Sequence, residues 1–253
     1  MLLEATGLTK RFGGVVAVAG VDLAAAERTV VGLIGPNGAG KTTFINAVSG
    51  HLLPDGGTIV FRGRDITRLP AHDRTRLGVA RTFQGIRLFK GLSVLDNVLI
   101  GRHARMRADV LDRLLPLRQA APAADLARVE ALLERVSLQS RRRDLAGELS
   151  YGEQRRLEIA RALASEPSLL LLDEPAAGLN AAESARLREL MRALAAEGLS
   201  IILIEHDVRL VMGACERVVV LNFGRKIAEG TPAEVRADPA VREAYLGAED
   251  ESA

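Results

Sequence analysis

The chain has 253 residues, 48% of them hydrophobic, which is enough for one large domain or a domain carrying a sizeable insertion. A net charge of +2 is too weak to argue for a nucleic-acid partner, and no apolar run approaches the roughly 18 residues that cross a bilayer, so any role at a membrane requires partners that span it. The single cysteine, Cys215, excludes an intramolecular disulfide and fits a reducing cytoplasm, and the first residues lack the apolar core and cleavage site of a secretory signal.

In chain order, Leu2–Leu23 reads as short antiparallel strands beside a core, as does Gly57–Phe61. Thr29–Ile34 reads as a strand feeding a glycine-rich turn, and Lys41–Ser49 as the helix after it. Gly85–Leu149 lacks strand patterns. It is rich in arginine, alanine and leucine, is broken at Pro116 and Pro122, and spaces Leu126, Val129, Leu132, Leu133 and Val136 as a packed helix does. Gly152–Ala164 and Ala181–Ala196 are helical. The near-continuous apolar runs Ser168–Leu172 and Ser200–Ile204 have the composition of parallel strands covered on both faces. Arg217–Glu229 reads as a hairpin turning at Asn222–Gly224. This order implies an α/β core with a mainly parallel sheet and an antiparallel β part, formed by residues 1–84 and 150–253, with a helical insertion over 85–149.

Gly35-Pro36-Asn37-Gly38-Ala39-Gly40-Lys41-Thr42 matches the phosphate-loop pattern G-x-x-x-x-G-K-[ST] between a strand and a helix. Glycines let the backbone curl until its N–H groups point inward at phosphate oxygens, and a helix start adds about half a positive charge. Lys41, one of only four lysines in the chain, would reach the β- and γ-phosphates, and the Thr42 hydroxyl, followed by Thr43, would ligate Mg²⁺. In Leu169-Leu170-Leu171-Leu172-Asp173-Glu174 a buried strand delivers acids to the carboxyl end of the sheet, where such folds bind ligands. Asp173 is expected to hold Mg²⁺ and Glu174 to act as general base on the attacking water.

Leu149-Ser150-Tyr151-Gly152-Glu153-Gln154 places Ser at an N-cap and Glu at N3, a capping box, so the following helix is expected to offer free amides over Ser150–Gly152. With Arg155–Leu163 behind it, this segment resembles the signature motif of ABC transporter ATPases and its helix. The resemblance extends over essentially the whole chain as a single ABC ATPase cassette. It implies that Ser150, Gly152 and Glu153 face the γ-phosphate of ATP held by an opposite subunit. Gln84, in Arg81-Thr82-Phe83-Gln84, matches the Q-loop that senses the γ-phosphate and Mg²⁺, and His206 matches the switch histidine. Phe12 falls where the family stacks an aromatic on adenine. Two positions depart from the general pattern: Tyr151 stands where many members carry glycine, and Asn180 where the loop after Glu174 usually carries Asp.

Among ABC ATPases the chain most resembles the longer ATPase type of bacterial branched-chain amino-acid importers, in Arg81–Phe89, the helical insertion, Asp173–Asn180 and the ending Glu243–Gly247. ATPase subunits of lipopolysaccharide exporters are the runner-up, ahead of soluble ABC-type ATPases. The resemblance implies a homodimer or a heterodimer with a paralogous ATPase, two transmembrane permease subunits, and indirectly a periplasmic or extracellular substrate-binding protein. It places the chain peripherally at the cytoplasmic face of the inner membrane, with ATP and Mg²⁺ as its ligands and no nucleic acid.

Overall fold

A computed structural model describes residues 1–102 and 122–250, with side chains described to Tyr245. Every residue of β3 (Val30–Ile34), β7 (Leu169–Asp173) and β8 (Ser200–Ile204) is buried. They run parallel at the centre of a sheet ordered β10-β9-β3-β8-β7-β6, completed by β6 (Val79–Arg81), β9 (Arg217–Asn222) and antiparallel β10 (Arg225–Gly230). Because side chains alternate along a strand, each apolar run divides between two cores. Val31, Leu33, Leu169, Leu171, Ile202 and Ile204 enter one, and Val30, Ile34, Leu170, Leu172, Ile201 and Leu203 enter the other.

The first core is closed by α1 (Lys41–Val48) and a second, antiparallel sheet ordered β2-β1-β4-β5. That sheet comprises β1 (Leu3–Phe12), β2 (Val15–Ala25), β4 (Gly56–Phe61) and β5 (Arg64–Asp65). The opening strands are longer than the short pieces expected from Leu2–Leu23. They stay paired through register shifts beside Gly7 and Gly20, whose φ angles of 60° and 66° suit only glycine comfortably. The second core is closed by α5 (Tyr151–Leu163), α6 (Ala181–Ala196) and α7 (Val208–Ala214), with Val235 of α8 (Pro232–Ala237) and Val241 of α9 (Pro239–Asp250).

The expected helical region holds α3 (Val94–Arg102) and α4 (Ala123–Arg135), Pro122 standing immediately before α4. Pro116 lies outside the described residues. Val129, Leu133 and Val136 are buried with Val94, Val98 and Leu99 in a third core, and Leu126 and Leu132 pack at its margin. Leu157, Ala160 and Ala164 belong to that same core, whereas Ile159 and Leu163 belong to the second. Helix α5 is therefore shared, and residue 150 marks the start of a helix that joins the two bodies.

The sequence reading did not anticipate α2 (Ala71–Leu77), which brings Arg74 to full burial. Its guanidinium donates to Ala47 O and Val48 O at 2.7 Å each, and to Thr67 O and Leu69 O. A positive group on the last carbonyls of α1 complements that helix's dipole. Burial, opposed by Asp65, pulls the guanidinium pKa down to about 10.

Candidate functional site

The loop between β3 and α1 is built around close backbone approaches. A Cβ on Gly35 would stand 2.1 Å from Leu221 O and one on Gly40 2.3 Å from Ala17 O, so both positions exclude a side chain. Gly40, at φ 97°, is the N-cap of α1, with no side-chain cap and no acid in the first turn. The first amides of α1 therefore face the loop's hollow without internal acceptors. Gly224, in the β9–β10 turn, donates to Ala39 O at 3.1 Å and accepts from Ala19 N at 2.8 Å, which clamps the loop from its outer side. Lys41 is buried, its Nζ donating to Gly35 O at 2.7 Å and Pro36 O at 2.9 Å. Burial lowers the Lys41 pKa, while the nearby Glu174 and Asp173 carboxylates oppose that shift.

Two strand ends bring the acids and the histidine to this loop. Asp173, 1% exposed at the end of β7, accepts from Arg81 Nη2 at 2.8 Å through Oδ2, and its buried Oδ1 has no hydrogen-bond partner. Arg81 is held in turn by Asn46 Oδ1 at 2.6 Å and Ser49 Oγ at 3.0 Å, both on the body that follows the phosphate loop. An orphaned, buried carboxylate oxygen suits a hard, oxygen-seeking cation. Among the described residues no cluster of three or more His, Cys, Asp or Glu forms a cage, and the donors fit an ion that shares its shell with phosphate.

Glu174 has φ +48°, a left-handed backbone uncommon outside glycine and more so before a proline. Its N–H donates to Ile204 O at 2.9 Å and its carbonyl accepts from Ala177 N at 3.2 Å, so the sheet and the following turn hold the strain. Gln84 Nε2 donates to Glu174 Oε2 at 2.7 Å. His206 follows β8, and its amide donates to Glu205 Oε2 at 3.2 Å. Glu205 is fully buried and also accepts from Ala176 N at 2.7 Å through Oε1, which ties the segment after β8 to the segment after β7. Burial raises the Glu205 pKa against these amide donors.

Gly35, Pro36, Asn37, Ala39, Gln84, Glu174 and His206 line one open cleft of about 1030 Å³, together with Phe223 and Tyr245. Gly38, Gly40, Lys41, Thr42 and Thr43 belong to the same loop and helix start but are not among the lining residues, with Thr42 exposed and Thr43 half-buried. Phe12, 50% exposed at the end of β1 with Lys10 Nζ 5.6 Å from its ring centroid, is not among the lining residues. Neither are Ser150, Gly152 and Glu153, so one chain does not bring the signature segment into the cleft of its own phosphate loop.

At that segment both bonds of the capping box are present: Glu153 N donates to Ser150 Oγ at 3.3 Å and Ser150 N to Glu153 Oε2 at 2.8 Å. This corrects the expectation of free amides from Ser150 to Gly152, since the Ser150 amide is taken by its own helix and only those of Tyr151 and Gly152 lie outside the box. Burial raises the Glu153 carboxyl, but the Ser150 amide and hydroxyl with Arg141 bring it below its ordinary value. Asn180 caps α6 in the same way, accepting from Glu183 N at 3.0 Å, a role for which Asn and Asp are equivalent.

A family model described as ABC transporter matches residues 18–177, well over half of the chain. The chain belongs to the ABC transporter family. A second model, described as branched-chain amino acid ATP-binding cassette transporter, matches residues 225–251 of this cassette. The high-affinity branched-chain amino acid transport ATP-binding protein LivG of Salmonella typhimurium is 46% identical over 249 residues, covering 97% of this chain and 98% of its own. The lipopolysaccharide export system ATP-binding protein LptB of Acidithiobacillus ferridurans is 41% identical over 246 residues, covering 97% of each. The crystal structure of the ADP conformation of MJ1267, an ATP-binding cassette of an ABC transporter, superposes with a TM-score of 0.87 at 32% identity, covering 97% of this chain and 98% of that one. This cassette is a nucleotide-binding ATPase of that family, and no helix among its described residues is long and apolar enough to cross a membrane.

Arg81, Glu205, Arg155 and Tyr245 escaped the sequence reading. Arg81 and Glu205 flank recognised motif residues, and a charged residue directly after the four apolar positions Ile201–Ile204 of β8 was a usable signal. Tyr245 Oη is buried against the Gly35 amide without the geometry of a hydrogen bond, and burial raises its pKa.

Proposed function

We propose that this cassette is the ATPase subunit of an importer for branched-chain or related amino acids, working as one half of a nucleotide-sandwich dimer at the cytoplasmic face of the inner membrane. The observation that carries the reading is the 46% identity with LivG over nearly the full chain, joined to the separate match of residues 225–251. In the proposed site the loop Gly35–Gly40 and the start of α1 wrap the triphosphate, and Lys41 exchanges its two carbonyl contacts for the β- and γ-phosphates. Phe12 would stack on the adenine. Asp173 Oδ1, the Thr42 hydroxyl and Gln84 would hold Mg²⁺, which when bound neutralises phosphate charge and fixes the geometry of the γ-phosphate. Glu174 accepts a proton from the attacking water as the β–γ bridging bond breaks, and His206 steadies the γ-phosphate. The amides of Tyr151 and Gly152, with Ser150 and Glu153, complete the site held by the opposite chain.

Phe89, Leu92 and Leu145 are exposed apolar side chains of the helical region that follows Gln84. Leu92 N donates to Phe89 O at 2.9 Å and Ala146 N to Leu92 O at 2.9 Å, which keeps them adjacent. They support docking of a permease there. The test is deletion of this chain from its own cell followed by measurement of radiolabelled leucine uptake. Uptake should fall at least about tenfold and be restored by the wild-type chain but not by Glu174→Gln. Unchanged uptake accompanied by lipopolysaccharide stranded in the inner membrane would assign the cassette to export instead.

A further inference from the structure

Tyr151, where the signature departs from its glycine form, sits at a junction of three segments of one chain. Its ring covers Gly178 in the loop that follows Glu174: a Cβ on Gly178 would stand 3.0 Å from Tyr151 Cε1. The next residue, Gly152, meets Glu183 so closely that a Cβ would stand 2.3 Å from Glu183 Oε1. Glu183 is the acid of the Asn180 capping box, so the starts of α5 and α6 are packed against each other. Both departures from the family pattern, Tyr151 and Asn180, therefore stand where these two helix starts meet.

The hydroxyl of Tyr151 is engaged from another direction. Arg155, 3% exposed, donates from Nη2 to Tyr151 Oη at 3.0 Å, and the guanidinium carbon lies 5.4 Å from the ring centroid. The same Nη2 donates to Gln84 O, and Nη1 donates to Phe83 O at 3.0 Å and Glu158 Oε2 at 3.2 Å. Glu158 Oε1 accepts from Arg87 N at 3.1 Å, which adds a second hold on the segment beyond Gln84. A guanidinium is a planar fork with fixed donor directions, so it transmits displacement more faithfully than a flexible ammonium. The carbonyls that bracket Gln84 are thus linked through Arg155 to the Tyr151 hydroxyl, and through the ring to Gly178. A glycine at position 151 would make neither contact.

We propose that Tyr151 is a positioning residue that couples the Gln84 segment to the Gly178–Asn180 loop within one chain. Nucleotide sensed at a chain's own cleft then sets the placement of the signature start and of that loop, the two surfaces offered to the partner. The inference rests on the sandwich reading given above.

The test uses the full-length chain as wild type, Tyr151→Phe and Tyr151→Gly, with a non-hydrolysable ATP analogue and Mg²⁺. Amide hydrogen exchange is followed over residues 35–43 and 176–184, alongside fluorescent-nucleotide binding and steady-state phosphate release. In all three chains the analogue should bind within about twofold and protect residues 35–43. Protection of 176–184 should be present in wild type, reduced in Tyr151→Phe and lost in Tyr151→Gly. In Tyr151→Phe, kcat should fall about two- to tenfold with KM for ATP unchanged, the range expected for one hydrogen bond. Wild-type kcat and wild-type protection of 176–184 in Tyr151→Gly would overturn the proposal and reduce Tyr151 to a space-filler. If Tyr151→Gly loses helical circular dichroism, Tyr151→Phe decides, and its equivalence to wild type in both readouts overturns the coupling. A wild-type chain with neither protection of 35–43 nor phosphate release would instead sink the ATPase reading itself.

Discussion

Helices α1 and α5, whose starts are both proposed to meet phosphate, begin in opposite ways. Helix α1 starts from a left-handed glycine with no side-chain cap and no acid nearby, so its positive end is left for a ligand. Helix α5 starts from Ser150 with a complete capping box, and Glu153 places a carboxylate on the amide end that phosphate would approach. A glycine cap costs only a few tenths of a kcal/mol relative to a capping side chain, and the far end of α1 carries the buried Arg74 on Ala47 O and Val48 O. The first helix start is unfinished without an anion. The second is finished by itself, so it is suited to adjusting a site assembled elsewhere rather than to capturing nucleotide alone.

The comparison breaks most sharply at the acid that neither helix supplies. Glu174→Gln should cut phosphate release by about 10²–10⁴, the usual contribution of a positioned base, while nucleotide affinity stays the same and size-exclusion chromatography with ATP shows a trapped dimer. Wild-type turnover in that variant would take Glu174 out of its assigned role. Next comes the unfinished helix start. Lys41→Ala removes charge-assisted hydrogen bonds and should weaken fluorescent-ATP binding about 10–100-fold.

At the finished helix start the expected pattern is reversed. Ser150→Ala should leave nucleotide binding by the dilute chain unchanged, lower the melting temperature by about 2–4 °C, and raise the protein concentration needed for half-maximal specific ATPase activity. Activity independent of dilution in the wild type would show that no second chain contributes. The smallest effect belongs to Glu205. Its folded pKa lies above the unfolded value because of burial, so the native state holds more protons and stability falls as pH rises from the ordinary carboxylate value through the folded pKa. Glu205→Gln should therefore gain melting temperature relative to wild type between pH 5 and pH 8, by less than the shift expected for Ser150→Ala, read from melting curves at the two values.

Much of this was legible in the sequence because it is written in short range. The phosphate loop needs particular residues at adjacent positions, and the strand–turn–helix context around Gly35–Lys41 appears where the pattern placed it. The capping box of Ser150 and Glu153 and the turn at Phe223–Gly224 are equally local. Strand β6 and helix α2 were not legible. One is three residues at a sheet edge and the other seven residues with a buried arginine, and neither carries a periodicity long enough to register. The amides at Ser150 were misjudged because the reciprocal half of the capping box was counted for what it accepts and not for the amide it occupies.

What the chain's order of residues determined alone was the set of parts: apolar runs that must be buried on both faces, glycines where only glycine fits, and acids delivered at strand ends. What tertiary structure decided was which charges meet. Arg81 reaches Asp173 across 92 positions, Arg155 reaches Gln84 across 71, and Glu205 reaches Ala176 across 29. Periodicity and propensity act over a few residues, whereas the pairing of a buried charge depends on which strand the sheet topology sets beside it.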